Sequence, residues 1–259
     1  MPQFDNNVVV TLCFVTGTDT GVGKTALTAW CLAAARRSGY NWAAMKPVQT
    51  GVVRARNHGL CGDLARVART AGWRPSAEEI PWCQPYVFAT PCSPLRAATL
   101  ERTRIEWGRL RMAAEQLRRR YEVVLVEGAG GLRVPIVGRR TMLELARELA
   151  APVLVAARPG LGTLNHTLLT VERLWDCGLT VLGVVLVASQ PGHWTPLMWD
   201  NEATLRRFGV PVLGRLPYAP SWPRSPRRAV RFWASHPATG WIQTVLKELS
   251  RKSAGSPRY

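Results

Sequence analysis

The 259-residue sequence is poor in long hydrophobic runs, in acidic residues and in closely spaced cysteines. No apolar stretch approaches the roughly 20 residues that a helix needs to cross a bilayer. The N-terminus, Met-Pro-Gln-Phe-Asp-Asn-Asn, has neither the basic start nor the apolar core of a signal peptide. We therefore expect a cytoplasmic protein with no membrane partner. A hydrophobic fraction of 47% predicts a sizeable core, in one large α/β domain or two small ones.

The six cysteines are scattered, and none of them forms a Cys-x-x-Cys pair. This spacing favours neither a zinc site nor a redox motif. We expect reduced and mostly buried thiols, as is usual in a reducing compartment.

The scarcity of acids leaves a large positive charge, because 17 acidic residues face 34 lysines and arginines, for a formal net charge of +17. Such a charge is compatible with nucleic-acid binding. The arginines, however, occur singly along predicted helices, as at Arg102, Arg104, Arg109 and Arg111, and no DNA- or RNA-binding module is recognisable. We favour an arginine-rich, solvated surface, with anionic substrates as a second contributor. A nucleic-acid partner is not expected.

A glycine-rich turn, Gly17-Thr-Asp-Thr-Gly-Val-Gly-Lys-Thr25, is the strongest motif. The β-branched segment 8–15 before it predicts a buried strand, and the Ala- and Leu-rich segment 26–37 after it predicts a helix. In that context the glycines let several backbone N–H groups point at one phosphate, helped by the helix N-terminus. Lys24 can then reach the outer phosphates of a nucleoside triphosphate, and Thr25 can bind Mg²⁺.

The spacing of this turn differs from the common phosphate-binding pattern, because five residues rather than four separate Gly17 from Gly23. A plain strand–helix connection is the alternative, which the flanking segments disfavour. Asp19 stands where dimeric partition-type and arsenite-pump-type ATPases, whose loops are similar, carry a second lysine. This residue argues against their mechanism.

Two further polar segments are candidates for the same site. Lys46 and Thr50 follow a short apolar strand, 41–45, and we expect them at the sheet edge where open α/β proteins bind ligands. An exposed lysine without a function is the alternative. Asp63 begins a predicted helix, and it is either a carboxylate that faces the phosphates or the N-cap of that helix.

Glu127 ends the buried segment 122–126 and is followed by Gly-Ala-Gly-Gly. A carboxylate at the end of a hydrophobic strand in a phosphate-loop protein is the usual second contact for Mg²⁺ or its water shell. Gly128 and Gly130 would let the backbone approach a phosphate or a substrate. Glycines that serve only a tight turn are the alternative.

The rest of the chain alternates strands and helices, with apolar strand segments at 152–156, 180–187 and 210–213. This alternation predicts right-handed βαβ units in an α/β fold of the P-loop NTPase type, a parallel sheet with helices on both faces. Helices are predicted at 95–120, 141–148 and 167–175, with a long proline-rich connection at 73–94.

The predicted domain organisation is a single P-loop α/β domain at 1–220 followed by a basic extension at 221–259. The extension holds eight lysines and arginines against one acid, a net of 8 − 1 = +7. A terminal helix is possible at 238–249. Residues 253–259 are predicted to be disordered.

Four blocks resemble the dethiobiotin synthetase family, the ATP-dependent carboxylases of biotin synthesis. They are Phe14-Val-Thr-Gly-Thr-Asp-Thr-Gly-Val-Gly-Lys-Thr25, Lys46-Pro-Val-Gln-Thr-Gly51, Val126-Glu-Gly-Ala-Gly-Gly-Leu-Arg-Val-Pro135 and Gly160-Leu-Gly-Thr-Leu-Asn-His-Thr-Leu-Leu-Thr170. The segment 85–94 is also similar to the family's substrate loop. The resemblance covers about residues 8–217, and the long P-loop together with Glu-Gly-Ala-Gly-Gly is highly specific.

The resemblance implies an ATP- and Mg²⁺-dependent ring closure of 7,8-diaminononanoate with CO₂ to dethiobiotin, through a carbamate and a carbamic–phosphoric anhydride. Lys24 and Lys46 would be the catalytic cations. The implied nucleotide contacts are Thr20, Gly21, Val22, Gly23, Lys24, Thr25, Glu127, Gly128 and Gly130. The implied metal ligands are Thr25, Asp63 and Glu127. The implied substrate contacts are Thr20 and Thr50 at the diamine, with Gly162, Thr163 and Asn165 reaching the carboxylate tail across a homodimer interface.

Three positions depart from the family. Gly21 replaces a Glu of some members, Leu95 replaces the His of Ser-Pro-His, and Val187 stands where an Asn commonly reads adenine. Two other functions compete. A related amidoligase, of the cobyrinate diamide synthase kind, normally adds a glutaminase domain for which this chain has no room. A regulatory or nucleic-acid-bound P-loop ATPase fits the positive charge, but Asp19 argues against it.

Overall fold

The computed structural model describes residues 12–52, 59–222 and 224–253. The first residues of the predicted strand at 8–15 lie outside the described residues, as do the middle of the polar loop before Asp63 and the tail at 254–259.

Strands and helices alternate along the described chain as the sequence predicts. The strands are β1 (Leu12–Gly17), β2 (Trp42–Met45), β3 (Val48–Gln49), β4 (Tyr86–Val87), β5 (Val123–Glu127), β6 (Pro135–Val137), β7 (Arg140–Thr141), β8 (Val153–Ala157), β9 (Val181–Val187) and β10 (Val212–Leu216). The helices are α1 (Lys24–Arg37), α2 (Gly62–Ala71), α3 (Ile80–Cys83), α4 (Pro94–Leu100), α5 (Trp107–Arg118), α6 (Met142–Glu148), α7 (Thr163–Asp176), α8 (Pro196–Arg207), α9 (Pro226–Ser235) and α10 (Ile242–Ser253). None of the helices in the described part of the chain combines the length and the apolar character that a membrane span requires.

The core of the molecule is a parallel sheet in the order β10-β9-β8-β1-β5-β2. Every residue of β1, β2, β5 and β8 is buried. Because successive side chains of a strand point to opposite faces, helices must cover the sheet on both sides. This architecture confirms the predicted α/β fold of the P-loop type.

The register of the central strands sets the position of the site. Val15 of β1 pairs with Glu127 of β5, and Met45 of β2 pairs with Val126 of the same strand. The carboxyl ends of these three neighbouring strands therefore finish at one level. The phosphate-binding turn, Lys46 and Glu127 leave the sheet side by side.

The predicted helix at 95–120 is wrong in one respect, because two helices, α4 and α5, occupy it. Arg102 has a positive φ of 49°, which ends the first helix. The intervening Ile105 is 3% exposed, so burial of this side chain fixes the break. Helix α7 begins at Thr163, four residues before the predicted start at residue 167. Helix α10 begins at Ile242, four residues after the predicted start at residue 238.

The segment after residue 220 packs on the domain through aromatic side chains. Trp233 of α9 packs against Trp30 of α1 in a tilted arrangement with ring centroids 6.0 Å apart, and its indole N–H donates to Pro217 O at 3.0 Å. Leu246 and Leu249 of α10 are buried in the same core as the sheet. The division of the chain at residue 220 stays a prediction.

Candidate active site

The glycine-rich turn joins β1 to α1 at the carboxyl end of the sheet. Gly21 and Gly23 have φ angles of 72° and 96°, in the left-handed region that favours glycine. Between them, Val22 is 1% exposed, so the turn is anchored in the core. The extra residue in the spacing is thus accommodated in an ordered, curled backbone.

Lys24 is buried at the first turn of α1. Its Nζ donates to Asp19 O at 2.9 Å, a neutral partner within the same loop. Burial, and then repulsion from Lys46, lower the pKa of Lys24 from 10.5 to about 8. An anionic ligand would reverse this shift, because its charge favours the protonated amine.

Lys46 forms the centre of a buried ionic cluster. Its Nζ lies 2.6 Å from Glu127 Oε1 and 3.0 Å from Asp63 Oδ2, and it donates to Gly128 O at 3.3 Å. Burial would lower the pKa of Lys46, but the carboxylates of Glu127 and Asp63 outweigh burial and raise it. Lys46 is therefore not an exposed lysine without partners, and it is charged at neutral pH.

Asp63 lies in the first turn of α2 and does not cap it. The N-cap position is Cys61, and no side chain caps this helix. Burial would raise the pKa of Asp63, but the ammonium of Lys46 holds it below the usual range. The N-cap interpretation of Asp63 is wrong, and the carboxylate faces the cluster.

Gln49 is a site residue that the sequence reasoning did not identify. Its side chain is 4% exposed, and Oε1 accepts a hydrogen bond from Asp63 N at 3.0 Å. A Cβ on Gly62 would lie 2.6 Å from the Gln49 amide carbon, so the helix start packs directly on this side chain. Gln49 thereby fixes the position of Asp63. The sequence signal that could have identified Gln49 is its position inside the Lys46–Gly51 block.

Thr25, Asp63 and Glu127 are brought together, as the predicted metal set requires. Thr25 Oγ1 donates to Glu127 Oε1 at 2.9 Å, and the same hydroxyl contributes to the low pKa of Asp63. Glu127 Oε2 is buried without a hydrogen-bond partner among the described residues. Such an unpaired carboxylate oxygen, beside a hydroxyl and a second carboxylate, fits the all-oxygen ligand set that Mg²⁺ prefers.

The described part of the chain forms no denser cluster of metal-ligating side chains. In residues 12–52, 59–222 and 224–253, no group of three or more His, Cys, Asp or Glu side chains could hold a metal ion. A phosphate-loop magnesium site needs fewer protein ligands, since phosphate oxygens and water complete its shell.

The glycine loop after β5 packs closely on the phosphate-binding turn. A Cβ on Gly130 would lie 3.4 Å from Thr20 Oγ1, and one on Gly131 would lie 3.4 Å from Gly17 O. Gly128 N donates to Val15 O at 3.0 Å. The predicted nucleotide contacts from the two glycine loops therefore adjoin each other.

Thr50 lies at the junction with the segment that resembles a substrate loop. Gly51 N donates to Thr90 O at 3.2 Å, and Phe88 N donates to Gln49 O at 2.8 Å. The proline-rich connection is thus tied to the block that carries Lys46. The Thr50 side chain is half-buried beside this junction.

Gly162, Thr163 and Asn165 form the start of α7, and no hydrogen bond between described residues joins them to the Lys46 cluster. The Thr163 hydroxyl is buried and paired with the Thr167 hydroxyl at 3.2 Å. Asn165 is exposed, and Leu161 just before the helix is 92% exposed. Within one chain this group stays apart from the other predicted site residues.

Arg158 is a second residue that the sequence reasoning did not identify. Its guanidinium donates to Asp19 Oδ2 at 2.9 Å and to Thr20 O at 3.3 Å. Asp19 stands where the dimeric ATPases carry a lysine. Its carboxylate forms an ion pair with Arg158, which lies in the loop after β8. Nothing in the local sequence pattern indicates this pairing.

Val187 ends β9 against the phosphate-binding turn. It is 3% exposed, and a Cβ added to Gly23 would overlap its side chain. The position where the resemblance implies a base-reading Asn therefore offers no hydrogen-bonding side chain.

Known proteins with similar sequences identify the family of this chain. The family described as "AAA domain" matches residues 11–224. The ATP-dependent dethiobiotin synthetase of Anaeromyxobacter dehalogenans is 43% identical over 215 residues, which cover 83% of this chain and 93% of that protein. The enzyme of the same name from Methanococcus vannielii is 36% identical over 78% of this chain and 92% of its own length.

Comparison with solved structures identifies the fold. The MinC:MinD cell division protein complex of Aquifex aeolicus includes a chain that is 16% identical, with a TM-score of 0.57 over 96% of this chain and 100% of that one. MinD of Pyrococcus horikoshii, solved with Mg-ADP, gives a TM-score of 0.53 at 15% identity over 94% of this chain and 98% of its own. This likeness concerns the fold alone, because both identities are below 25%. The chain belongs to the ATP-dependent dethiobiotin synthetase family.

Proposed function

We propose that this protein converts 7,8-diaminononanoate, CO₂ and ATP into dethiobiotin, ADP and phosphate. The observation that carries the proposal is the cluster of Lys46, Glu127, Asp63 and Thr25 beside the phosphate-binding turn. We infer that the terminal phosphate of a bound nucleotide would lie beside this buried cation and its two carboxylates. The proposal includes a cytoplasmic location, where ATP is supplied.

The proposed ring closure has three steps. One amine of the substrate adds to CO₂ and loses a proton, which gives a carbamate. A carbamate oxygen attacks the γ-phosphorus of ATP, the bond to the bridging oxygen breaks, and ADP leaves. The second amine attacks the carbamoyl carbon, phosphate leaves with the electron pair of the C–O bond, and loss of a proton completes the cyclic urea.

The two lysines supply the charge that this sequence needs. Carbamate and triphosphate are both anionic and repel each other at close range. Lys24 would reach the outer phosphates from the loop, and Lys46 would face the transferred phosphoryl group from the end of β2, which lies beyond β5 in the sheet. Fixed cations at the position where negative charge develops stabilise the transition state without reorganisation of water.

Thr25, Asp63 and Glu127 would hold Mg²⁺. The metal ion, when bound, neutralises charge on the β- and γ-phosphates and orients them for in-line attack. The contribution of this chain is to keep the Asp63 carboxylate ionised. Lys46 does so for Asp63, whose pKa it lowers against the effect of burial.

The N-terminus of α7 would receive the carboxylate tail of the substrate. Helix α7 has 14 residues, and its N-terminus, where Asn165 is exposed, carries a partial positive charge. Because Gly162, Thr163 and Asn165 have no bond to the Lys46 cluster of their own chain, we assign them to the site of a partner copy. We also assign Leu161, which is 92% exposed at the tip of this loop, to the homodimer interface.

The test is release of ADP that requires both the diamine and bicarbonate, with mass spectrometry of the product. We expect a product heavier than the diamine by one carbonyl unit less two hydrogens. ADP release that ignores the diamine would contradict the proposal and favour a regulatory ATPase. Transfer of ammonia or glutamine nitrogen to a carboxylate would favour the amidoligase.

A further inference from the structure

We propose that Asn201 is a positioning residue that fixes the loop after β8, residues 158–162, so that the start of α7 can bind the substrate's carboxylate tail. The inference rests on the proposed function. It assigns a role to a side chain on a different helix, α8, which belongs to none of the motifs that the sequence displays.

The contacts of Asn201 are those of a structural anchor for backbone. The residue is 4% exposed. Its Nδ2 donates to Pro159 O at 2.9 Å and to Gly160 O at 3.3 Å. Two consecutive carbonyl groups are thereby held by one amide, immediately before the exposed turn that opens α7. A buried amide with this geometry restricts the loop to one path.

Helix α8 is itself held firmly to the sheet by the residue next to Asn201. Glu202 Oε2 accepts from Arg215 Nε of β10 at 2.5 Å, which joins the helix to the sheet, whereas Glu202 Oε1 accepts from Arg206 Nη2 at 2.9 Å within α8. The Arg215 guanidinium lies 3.4 Å from the ring centroid of Trp199, on the same helix. Because α8 is bound to β10 in this way, Asn201 can hold the loop at a fixed position relative to the sheet.

The same loop is tied on its other side to the phosphate-binding turn. Arg158 bonds to the Asp19 carboxylate and to Thr20 O. Residues 158–160 therefore lie between two anchors, one on the nucleotide loop and one on α8. The anchor on α8 is the buried one, so we assign it the larger share of the positioning.

Asn201 does not reach the reacting atoms, so its effect should appear in substrate binding. Loss of its donors would let residues 158–162 sample other paths and would misplace the N–H groups at the start of α7. The KM for diaminononanoate should rise, whereas kcat and the KM for ATP should change little.

The experiment compares Asn201→Leu and Asn201→Asp, which keep the side-chain size but remove the donors. Leu205→Ala is the matched control, because Leu205 is fully buried on the same helix and its truncation lowers the stability of the fold while it keeps the bonds from Asn201 to the loop. Each variant is assayed with diaminononanoate and with octane-2,3-diamine, which has the two amines and lacks the carboxylate. Melting temperatures are recorded in parallel.

We expect both Asn201 variants to raise the KM for diaminononanoate about tenfold or more, a loss typical of buried hydrogen bonds. Their kcat/KM for octane-2,3-diamine should stay within about twofold of the wild type. Leu205→Ala should lower the melting temperature and leave both KM values unchanged. If Asn201→Leu does not fold, Asn201→Ser keeps one donor and should give an intermediate rise.

Three results would overturn the inference. They are an unchanged KM for diaminononanoate in folded Asn201 variants, an equal loss on both substrates, and the same rise in Leu205→Ala. A wild-type protein that releases no diamine-dependent ADP would instead contradict the proposed function, and the inference with it.

Discussion

The ammonium group of Lys46 lies 2.6 Å from Glu127 Oε1, although 81 positions separate the two residues along the chain. The pKa of Lys46 is raised by its two carboxylate partners, whereas burial lowers the pKa of Lys24 to about 8. The site therefore holds one cation that is paired before any ligand binds and a second whose bond is to a neutral carbonyl. These two lysines should respond differently to the same substitution.

Lys46→Met and Lys24→Met should both lower kcat about 100-fold or more, because each removes a cation from the phosphoryl site. Their stabilities should differ. Lys46→Met leaves the buried Glu127 with the Thr25 hydroxyl but without its cationic partner, which should cost about 3 kcal/mol of unfolding free energy. Lys24→Met removes a charge that burial disfavours and should leave stability unchanged or raise it. Urea denaturation at pH 7 measures both, and equal stabilities would contradict the assignment of Lys46 to a buried ion pair.

Asp63→Asn and Glu127→Gln should each raise the Mg²⁺ concentration for half-maximal activity about tenfold or more. Each substitution keeps the shape of the side chain and removes a charged oxygen ligand. Glu144→Gln is the control, because this carboxylate serves the capping box of α6 away from the site. Activity titrated against Mg²⁺ gives the result. An Asp63→Asn enzyme with wild-type metal dependence would remove Asp63 from the metal set.

ATP binding should weaken above pH 8, where Lys24 loses its proton in the free protein. Phosphate raises the pKa of Lys24 again, so binding near pH 8.5 should take up a proton (~0.5 to 1 per site). Calorimetry in buffers of different ionisation enthalpy measures this uptake, and Lys24→Met should abolish it. The folded pKa lies below the unfolded value, so the unfolded state binds more protons and this group's contribution to stability becomes more favourable as pH rises above 8. A flat affinity from pH 7 to pH 9.5 would rule out titration of Lys24.

Discrimination among nucleotides should be weak. Backbone N–H groups, Lys24 and Mg²⁺ do not sense the base, and the Val187 side chain has no donor or acceptor for it. We expect CTP or GTP to support turnover within about tenfold of ATP, or roughly 1.4 kcal/mol. Val187→Asn should sharpen the preference, and Val187→Ala is the control for loss of packing on Gly23. A preference for ATP above about a thousandfold in the wild type would mean that other groups read the base.

Two truncations should separate the terminal tail from the terminal helix. Removal of residues 254–259 should leave activity and melting temperature unchanged, as is usual for chain termini. Removal of residues 241–259 deletes α10 and with it Val245, Leu246 and Leu249, which are at most 2% exposed. Each such side chain contributes about 1.5–3 kcal/mol, so the loss is comparable to a domain's whole stability. A folded, active 1–240 protein would show that α10 is dispensable.

The sequence by itself determined the elements that depend on contiguous residues. A β-branched run, a glycine-rich turn and a helix-forming run predicted the phosphate-binding loop, and the structure has positive φ angles at Gly21 and Gly23. The same logic predicted Lys46 and Glu127 at strand ends. Strand periodicity and strand–helix alternation are local signals, so they can be read without knowing which strands are neighbours.

Only the tertiary structure decided which of these residues meet. The register of β2 and β5 brings Lys46 against Glu127, and Gln49 holds Asp63 in place across a loop. The pairing of Asp19 with Arg158, the packing of Val187 on Gly23 and the bond from Asn201 to the loop carbonyls join segments far apart in the chain. Such contacts depend on the strand order and on the path of each loop over the sheet. Packing of the whole core sets both of these, so no single stretch of sequence contains a pattern that predicts the contacts.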